Sequence, residues 1–207
     1  MPDNLEPKEL LFLESIKWDG AAYGLLPYHE ARIARTWAKR FGGEPPFKLA
    51  KVLPVTLGPT LTKVRLIYGQ GLLKVTSAPY VLPEIKKAIL VKSELDYGDK
   101  FLDRSEIEAL KAQAKANQPG AEIIIVKNGF ITDSSIANLV FQDRAGNFKT
   151  PLNPLLPGVK RAALIDASRI APTPITPGDL GNYLTVSFIN AMIDLEDNVR
   201  LDISDIS

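Results

Sequence analysis

Three short segments carry most of the side chains that could do chemistry. The segment 129–141, GFITDSSIANLVF, sets Asp133 at a polar bend between two apolar runs. The segment 97–106, YGDKFLDRSE, carries Lys100, and the segment 155–165, LLPGVKRAALI, puts Pro157 and Gly158 directly before a predicted helix. A carboxylate, an amine and the free amides of a helix start can together bind an anion and move a proton.

Each of these segments also has a purely structural interpretation. A polar bend such as Asp133–Ser135 is common as a capped turn between strands. Lys100 lies among acidic neighbours, which favour a charged amine and a surface ion pair, whereas a lysine that bonds covalently to a carbonyl has to be desolvated or near a cation. The residues alone leave these alternatives open for Asp133, for Lys100 and for the helix-start residues Lys160 and Arg161.

A fourth candidate is a pair of residues on a predicted helix over 28–41. His29 and Arg32 are three residues apart, so they share one face of that helix. An arginine facing inward at a lobe boundary can hold a phosphate through two hydrogen bonds. We interpret His29 as a structural hydrogen-bonding residue rather than a catalytic one.

The scarce residue types exclude several kinds of chemistry. The chain has no Cys and a single His, which rules out disulfides and thiol catalysis and argues against a His-based triad or a multi-histidine metal centre. We therefore expect no metal, and a chemistry of carboxylates, hydroxyls, amines and a borrowed cofactor. The lack of Cys also fits a reducing compartment, so we expect a cytoplasmic protein.

Charge and hydropathy argue against two classes of partner. The net charge is +1 and the basic residues are spread along the chain, so we expect no nucleic acid partner. No run approaches eighteen apolar residues, and Met1 to Glu9 lacks the basic start and apolar run of a signal peptide, so we expect no membrane association. A small-molecule substrate remains.

Apolar periodicity and turn signals predict an α+β chain in two lobes. A capping-box spacing of Asp103 and Glu106 marks the start of the second predicted helix. The lobes span 1–80 and 81–207, with a proline-bounded linker at 77–83. We predict helices over 28–41, 104–116 and 158–167, and strands over 10–16, 64–68, 72–75, 87–91, 122–126, 129–131, 137–141 and 184–189.

Taken in order, the motifs resemble one family. The series YHEAR, DKFLDR, GFITDSSIANLVF, FKTPLNPLLPGVKRAALI and SFINAMIDL resembles the class IV aminotransferases, which are fold-type IV pyridoxal-phosphate enzymes. The resemblance covers about residues 10–195 and is most specific in the central block. It implies the two-lobed fold of D-amino acid aminotransferase, with a small N-terminal lobe and a larger C-terminal one, pyridoxal 5'-phosphate as cofactor, and a homodimer.

The resemblance also implies roles for particular residues. Lys100 stands where the family has the lysine that carries the cofactor, and Asp133 where it has the acid, usually Glu, that pairs with the pyridine nitrogen. Arg32 corresponds to the phosphate-binding arginine of the small lobe. Further phosphate-cradling positions correspond to Val159, Lys160, Asn190 and Ala191, and the Thr often found at position 160 is replaced by Lys.

Within the family, the details favour 4-amino-4-deoxychorismate lyase. KFLDR and INAM resemble that branch, and the tyrosine that transaminases often have five residues after the lysine is replaced by Ser105. The expected reaction eliminates pyruvate and leaves 4-aminobenzoate, with Lys100 or a hydroxyl such as Ser15 or Ser105 supplying a proton. Arg65 is a candidate for a substrate carboxylate, or else part of an ion pair on its strand.

Two other functions stay open from the sequence. One is a class IV aminotransferase acting on a branched-chain or D-amino acid, and the other is a non-catalytic binding protein on the same fold. The family's approach to the first strand, Y-G-D-G, is absent, so we expect the substrate side of the small lobe to be altered.

Overall fold

A computed structural model describes residues 10–55, 57–116 and 118–207. The prediction about Met1 to Glu9 lies outside the described residues. The first sheet is antiparallel, in the order β1-β2-β3, and two helices lie between its first and second strands. These elements are β1 (Phe12–Trp18), α1 (Leu26–Arg40), α2 (Leu49–Val52), β2 (Thr62–Tyr68) and β3 (Leu72–Pro79).

Alternation along β1 decides which of its side chains are buried. Phe12 and Ile16 have no exposed surface and pack with Trp37 of α1 and Tyr68 of β2 in one apolar cluster. Side chains two residues apart on a strand lie on the same face, so Glu14 also belongs to this buried face. The other face of β1 carries Leu13, Ser15 and Lys17 and looks toward the second sheet.

The second sheet is mixed, and all of its strands lie after residue 87. Its main order is β11-β10-β7-β6-β5-β4, with β8 beside β7 and β9 beside β8; β4 and β5 are parallel, and a helix connects them. The elements are β4 (Ala88–Lys92), α3 (Ser105–Lys115), β5 (Glu122–Lys127), β6 (Phe130–Ser134), β7 (Asn138–Asp143), β8 (Phe148–Pro151), α4 (Val159–Asp166), β9 (Ala171–Thr173), β10 (Tyr183–Ile189) and β11 (Arg200–Asp202).

The segment around Lys100 joins the two sheets. Leu13 N–H donates to the carbonyl of Lys100 at 2.9 Å, and Phe101 forms a β-bridge with Phe12. Asp99 accepts a 2.8 Å hydrogen bond from Nε of Arg40 at the end of α1. Contacts on both sides of Lys100 therefore fix its backbone at the boundary between the sheets.

The α+β prediction is confirmed, and three details of it are wrong. Ser77–Pro79 belong to β3 and pair with Val64 to Thr62, so the connection without strand or helix begins at Tyr80 rather than at residue 77. Asp103 does not cap α3: the cap position is Arg104, and the Asp103 carboxylate instead accepts the Ser105 N–H at 2.9 Å. Asp133 and Ser134 lie within β6 rather than at the bend.

The lobe division at residue 80 stays a prediction. The second predicted helix corresponds to α3, which ends at Lys115 with Ala116 as its C-cap residue. Among the residues that the structure describes, no helix has the length and apolar character needed to cross a membrane.

Candidate active site

A cavity of about 480 Å³ lies between the two sheets. Its walls come from β1 and β2 on one side, and from the Lys100 segment, the β6–β7 region, the start of α4 and the 190–192 turn on the other. Most of the site residues predicted from the sequence meet here. They are Ser15, Arg32, Arg65, Lys100, Asp133, Val159, Asn190 and Ala191.

Lys100 has the environment of a reactive amine rather than of a surface ion pair. Burial, and after it the charge of the Arg32 guanidinium, lower the pKa of its amine from 10.5 to about 7. Within the described chain it forms no ion pair, because its neighbour Asp99 is bound to Lys39 and Arg40. An appreciable fraction of the Lys100 amine is therefore neutral near neutral pH, as attack on a carbonyl requires.

Asp133 is a buried carboxyl group held by two donors. Asn138 Nδ2 donates to its Oδ1 at 2.7 Å, and the Leu156 N–H donates to its Oδ2 at 2.8 Å. Burial raises the pKa of the Asp133 carboxyl from 3.8 to about 6, although both hydrogen bonds oppose the shift. A carboxyl with this pKa can hold a proton jointly with a basic ring nitrogen.

Arg32 also lines the cavity and is oriented by a buried cluster. Glu14 accepts hydrogen bonds from Arg32 Nε at 2.8 Å and from Nη2 at 2.5 Å, and its Oε2 lies 2.6 Å from Nδ1 of His29. His29 and Arg32 therefore share a helix face as predicted. The bonds to Glu14 use Nε and Nη2 of Arg32, and Nη1 has no acceptor in the described structure. Nη1 can therefore bind an anion in the cavity.

Glu14→Gln should lower the free energy of unfolding by about 3 kcal/mol near neutral pH, because it breaks a buried ion pair while Arg32 stays buried. Burial alone would raise the pKa of Glu14, but Arg32 and His29 outweigh it and lower the pKa from 4.5 to about 2. The carboxylate's contribution is therefore fully present above the unfolded pKa of 4.5 and is lost as the pH falls through about 2.

Urea unfolding of wild type and Glu14→Gln over that pH range measures this effect. The difference between the two proteins in free energy of unfolding should become smaller as the pH falls. Glu44→Gln, at an exposed position, is the matched control and should change little. A Glu14→Gln protein as stable as wild type near neutral pH would contradict the assignment.

The start of α4 forms a third wall of the cavity. The first amides of a helix have no acceptor within it and favour anions. Gly158, the residue before the helix, leaves room for Asn138: a Cβ on Gly158 would lie 1.9 Å from Asn138 Oδ1. The Asn138 amide group bonds both Asp133 and the carbonyl of Leu156, so the absence of a side chain at Gly158 keeps Asp133 in position.

Gly158→Ala is expected to destabilise the protein by about 1–3 kcal/mol, because Asn138 has to move and leave buried acceptors unbonded. The backbone of Gly158 is extended, so any strain comes from the new contact and not from its φ angle. The midpoint temperature of thermal unfolding and the affinity for the cofactor should both decrease. Gly181→Ala is the control, since a Cβ there meets nothing within 4 Å, and equal behaviour of the two variants would refute the contact argument.

Two predicted residues do not line the cavity. The Lys160 ammonium is bound to Asp194 and does not line the cavity. Asp194 also accepts a 2.5 Å hydrogen bond from Lys17. Ser105 lies on a neighbouring surface groove with Leu10 and Phe101. Asn190 does line the cavity, but its side chain closes the local turn by accepting the Met192 N–H at 2.8 Å.

The sequence reasoning missed several residues of the site. Glu14 carried a signal, because a charged residue on the apolar face of an alternating strand requires a buried partner. Lys63 is two residues before Arg65 and so shares its face of β2. Arg104, which donates to the carbonyl of Ser135 at 2.6 Å, and Tyr97 were within a segment already singled out.

A sequence model of one family, Amino-transferase class IV, matches residues 76–195. The match covers more than half of the chain and includes Lys100, Asp133 and the 190–192 turn. The chain belongs to the class IV aminotransferase family. The predicted fold is confirmed with it, as is the prediction that the chain belongs to a family of enzymes that use pyridoxal phosphate.

Several solved structures and one sequence relative are similar to the chain. A candidate 4-amino-4-deoxychorismate lyase from Haemophilus somnus is 28% identical, with a TM-score of 0.80 over 91% of this chain and 100% of that one. A hypothetical aminotransferase from Mycobacterium tuberculosis, in its PLP-bound form, is 16% identical with a TM-score of 0.75 over 95% and 81%. An uncharacterized protein of Haemophilus influenzae is 38% identical over 103 residues, so the chain spans about half of that relative's length (53%).

The cavity residues of this member of the class IV aminotransferase family fit pyridoxal phosphate. A partly neutral amine, a buried carboxyl group and a guanidinium with a free Nη1 line one cavity, in which the start of a helix adds backbone amides. These four features match the aldehyde, the ring nitrogen and the phosphate of that cofactor.

Proposed function

We propose that the chain is a pyridoxal-phosphate enzyme of the 4-amino-4-deoxychorismate lyase kind, which releases pyruvate and 4-aminobenzoate. The observation that carries the proposal is the meeting of Lys100, Asp133 and Arg32 in one cavity. The KFLDR motif and the similarity to the Haemophilus somnus candidate lyase along its whole length support the lyase over other reactions of the family.

The proposed roles follow from the environment of each residue. Arg32 Nη1 and the amides at Val159 would bind the phosphate, and Asp133 would keep the pyridine nitrogen protonated. Lys100 would bond to the cofactor aldehyde. When bound, pyridoxal phosphate supplies an electron sink for charge that develops at the substrate carbon next to the amine.

Lys100 then has the second task of moving a proton. Its Nζ, with a pKa of about 7, can accept the proton from the amine-bearing ring carbon of the substrate. The carbon–oxygen bond to the side chain breaks, the ring becomes aromatic, and the leaving group takes up a proton to become pyruvate. Ser15 lines the cavity on the opposite wall and is a candidate donor for that last proton, whereas Ser105 does not line the cavity.

Apolar side chains on both walls would limit the access of water to the reacting atoms. Leu13 of β1 faces Ile125, Leu155 and Leu156 across the cavity. Exclusion of water strengthens each charge interaction inside and protects the reacting carbon from unwanted protonation.

The reaction is tested with 4-amino-4-deoxychorismate and no added 2-oxo acid. Pyruvate is followed by a coupled reduction and 4-aminobenzoate by fluorescence. Equal amounts of both products support the lyase. Turnover only after a 2-oxo acid is added would identify an aminotransferase, and cofactor binding without either reaction would identify a binding protein.

We further propose that the protein acts as a homodimer in the cytoplasm. The groove beside the cavity exposes Leu10, at 40% of its surface, next to Phe101 and Leu102, which suits a subunit contact. The absence of Cys fits a reducing compartment. Sedimentation equilibrium of the purified protein tests the dimer, and a monomer at micromolar concentration would contradict it.

A further inference from the structure

Two basic side chains of β2 lie on the cavity wall opposite the Lys100 segment. Lys63 and Arg65 are two residues apart on one strand and both line the cavity, with Ser15 paired to Arg65 on the neighbouring strand. Burial, and secondarily the charge of Arg65, lower the pKa of Lys63. The two cations are therefore close enough to repel each other.

Neither cation is neutralised by the described part of the protein. Lys63 and Arg65 form no ion pair there, and Lys63 Nζ lies over the ring of Tyr80, 5.0 Å from its centroid. Lys17 lies on the same sheet face and is bound to Asp194. On this face of the sheet, Lys17 has an acidic partner, whereas the two basic residues that border the cavity have none in the described chain.

The excess of basic residues in the cavity lining indicates that these two side chains bind an anion. Its lining has one acidic residue, Asp133, against five basic ones, which are Arg32, Lys63, Arg65, Lys100 and Arg104. The cofactor would occupy Lys100, Asp133 and Arg32. Arg104 uses Nη2 both for the carbonyl of Ser135 and for Glu108 at 3.4 Å, so within the described chain its other nitrogens remain for a first carboxylate.

We infer that Lys63 and Arg65 together bind a second carboxylate of the substrate, remote from its amine, so that the site selects dicarboxylic substrates. This inference rests on the proposed function, since it takes the cofactor at Lys100 as given. It assigns specificity to two residues of the small sheet, and it excludes branched-chain amino acids, which have one carboxylate, as good substrates.

The test compares benzoate with isophthalate, which carries a second carboxylate across the ring, by calorimetry on the cofactor-loaded protein. Isophthalate should bind about 10- to 100-fold more tightly to wild type, because a charge-assisted pair contributes roughly 1.5–3 kcal/mol. Arg65→Gln and Lys63→Gln should each remove most of this preference and leave benzoate binding unchanged, and Arg65→Lys should retain part of it.

Lys74→Gln is the matched control, because Lys74 lies on the same sheet face beyond the cavity and is exposed. It should leave the preference intact. Equal binding of the two ligands to wild type, or an Arg65→Gln protein that keeps the full preference, would overturn the inference.

Borohydride treatment of the same samples separates this failure from failure of the proposed function. If the cofactor is fixed on Lys100 but isophthalate has no advantage, only the dicarboxylate inference is overturned. If no cofactor is fixed, the proposed function fails. In that case, an isophthalate preference that is present in wild type and lost in Arg65→Gln would still support the binding of a second carboxylate by Lys63 and Arg65.

Discussion

Lys100→Ala is expected to lose about 10⁴-fold or more of the turnover, because it removes both the covalent attachment point and the group that moves the substrate proton. The pKa of about 7 for this amine, set first by burial, lets it accept a proton near neutral pH. Pyruvate release by purified wild type and variant, each saturated with pyridoxal phosphate, measures it.

The loss should not come from unfolding. The folded protein lowers the pKa of Lys100 below its unfolded value of 10.5, so the amine disfavours the fold near neutral pH, and Lys100→Ala should be no less stable than wild type. Lys92→Ala, which removes an exposed amine from β4, is the control and should keep its activity. A Lys100→Ala protein with wild-type turnover would refute the role.

Asp133→Asn should reduce turnover by about 10²–10⁴-fold, comparable to the loss of one positioned proton-transfer group. The amide still accepts the Leu156 N–H, but it cannot hold the pyridine nitrogen in its protonated form. Steady-state rates, together with the absorption spectrum of the bound cofactor, measure the effect.

Asp133→Glu is the informative companion variant. It restores the longer acid found in most of the family and keeps the charge, so it should stay within about tenfold of wild type. If Asp133→Asn lost no more activity than Asp133→Glu, the charge at this position would have no role in the reaction.

The order of motifs along the chain predicted one common site for three residues that the structure places on the lining of one cavity. Lys100, Asp133 and Arg32 are far apart in sequence, and only the family resemblance joined them before the fold was known. Local reasoning about Lys100 favoured an ion pair, and it failed because Asp99 is bound to Lys39 and Arg40 on α1, about sixty residues earlier in the chain. Competition between distant partners is not readable from local spacing.

The same limit explains why Lys160 does not line the cavity, whereas the capping-box prediction at Asp103 was wrong for a local reason. Lys160 is drawn to Asp194, a residue 34 positions later, which no local pattern connects to it. Asp103 satisfies the spacing of a capping box, but its carboxylate bonds the Ser105 N–H instead, and the helix starts at Ser105. The strands β9 and β11 have three residues each, which is too short for a periodic pattern, and they exist through pairing with β8 and β10.

The most direct test of the central claim is to locate the cofactor on the chain. Wild type and Lys100→Ala are incubated with pyridoxal phosphate, reduced with borohydride, digested and analysed by mass spectrometry. We predict one pyridoxal-phosphate adduct on the wild-type peptide that contains Lys100, together with a borohydride-sensitive absorption band, and neither in Lys100→Ala. An adduct on another lysine, or none in wild type, would contradict the claim that this cavity is a pyridoxal-phosphate site.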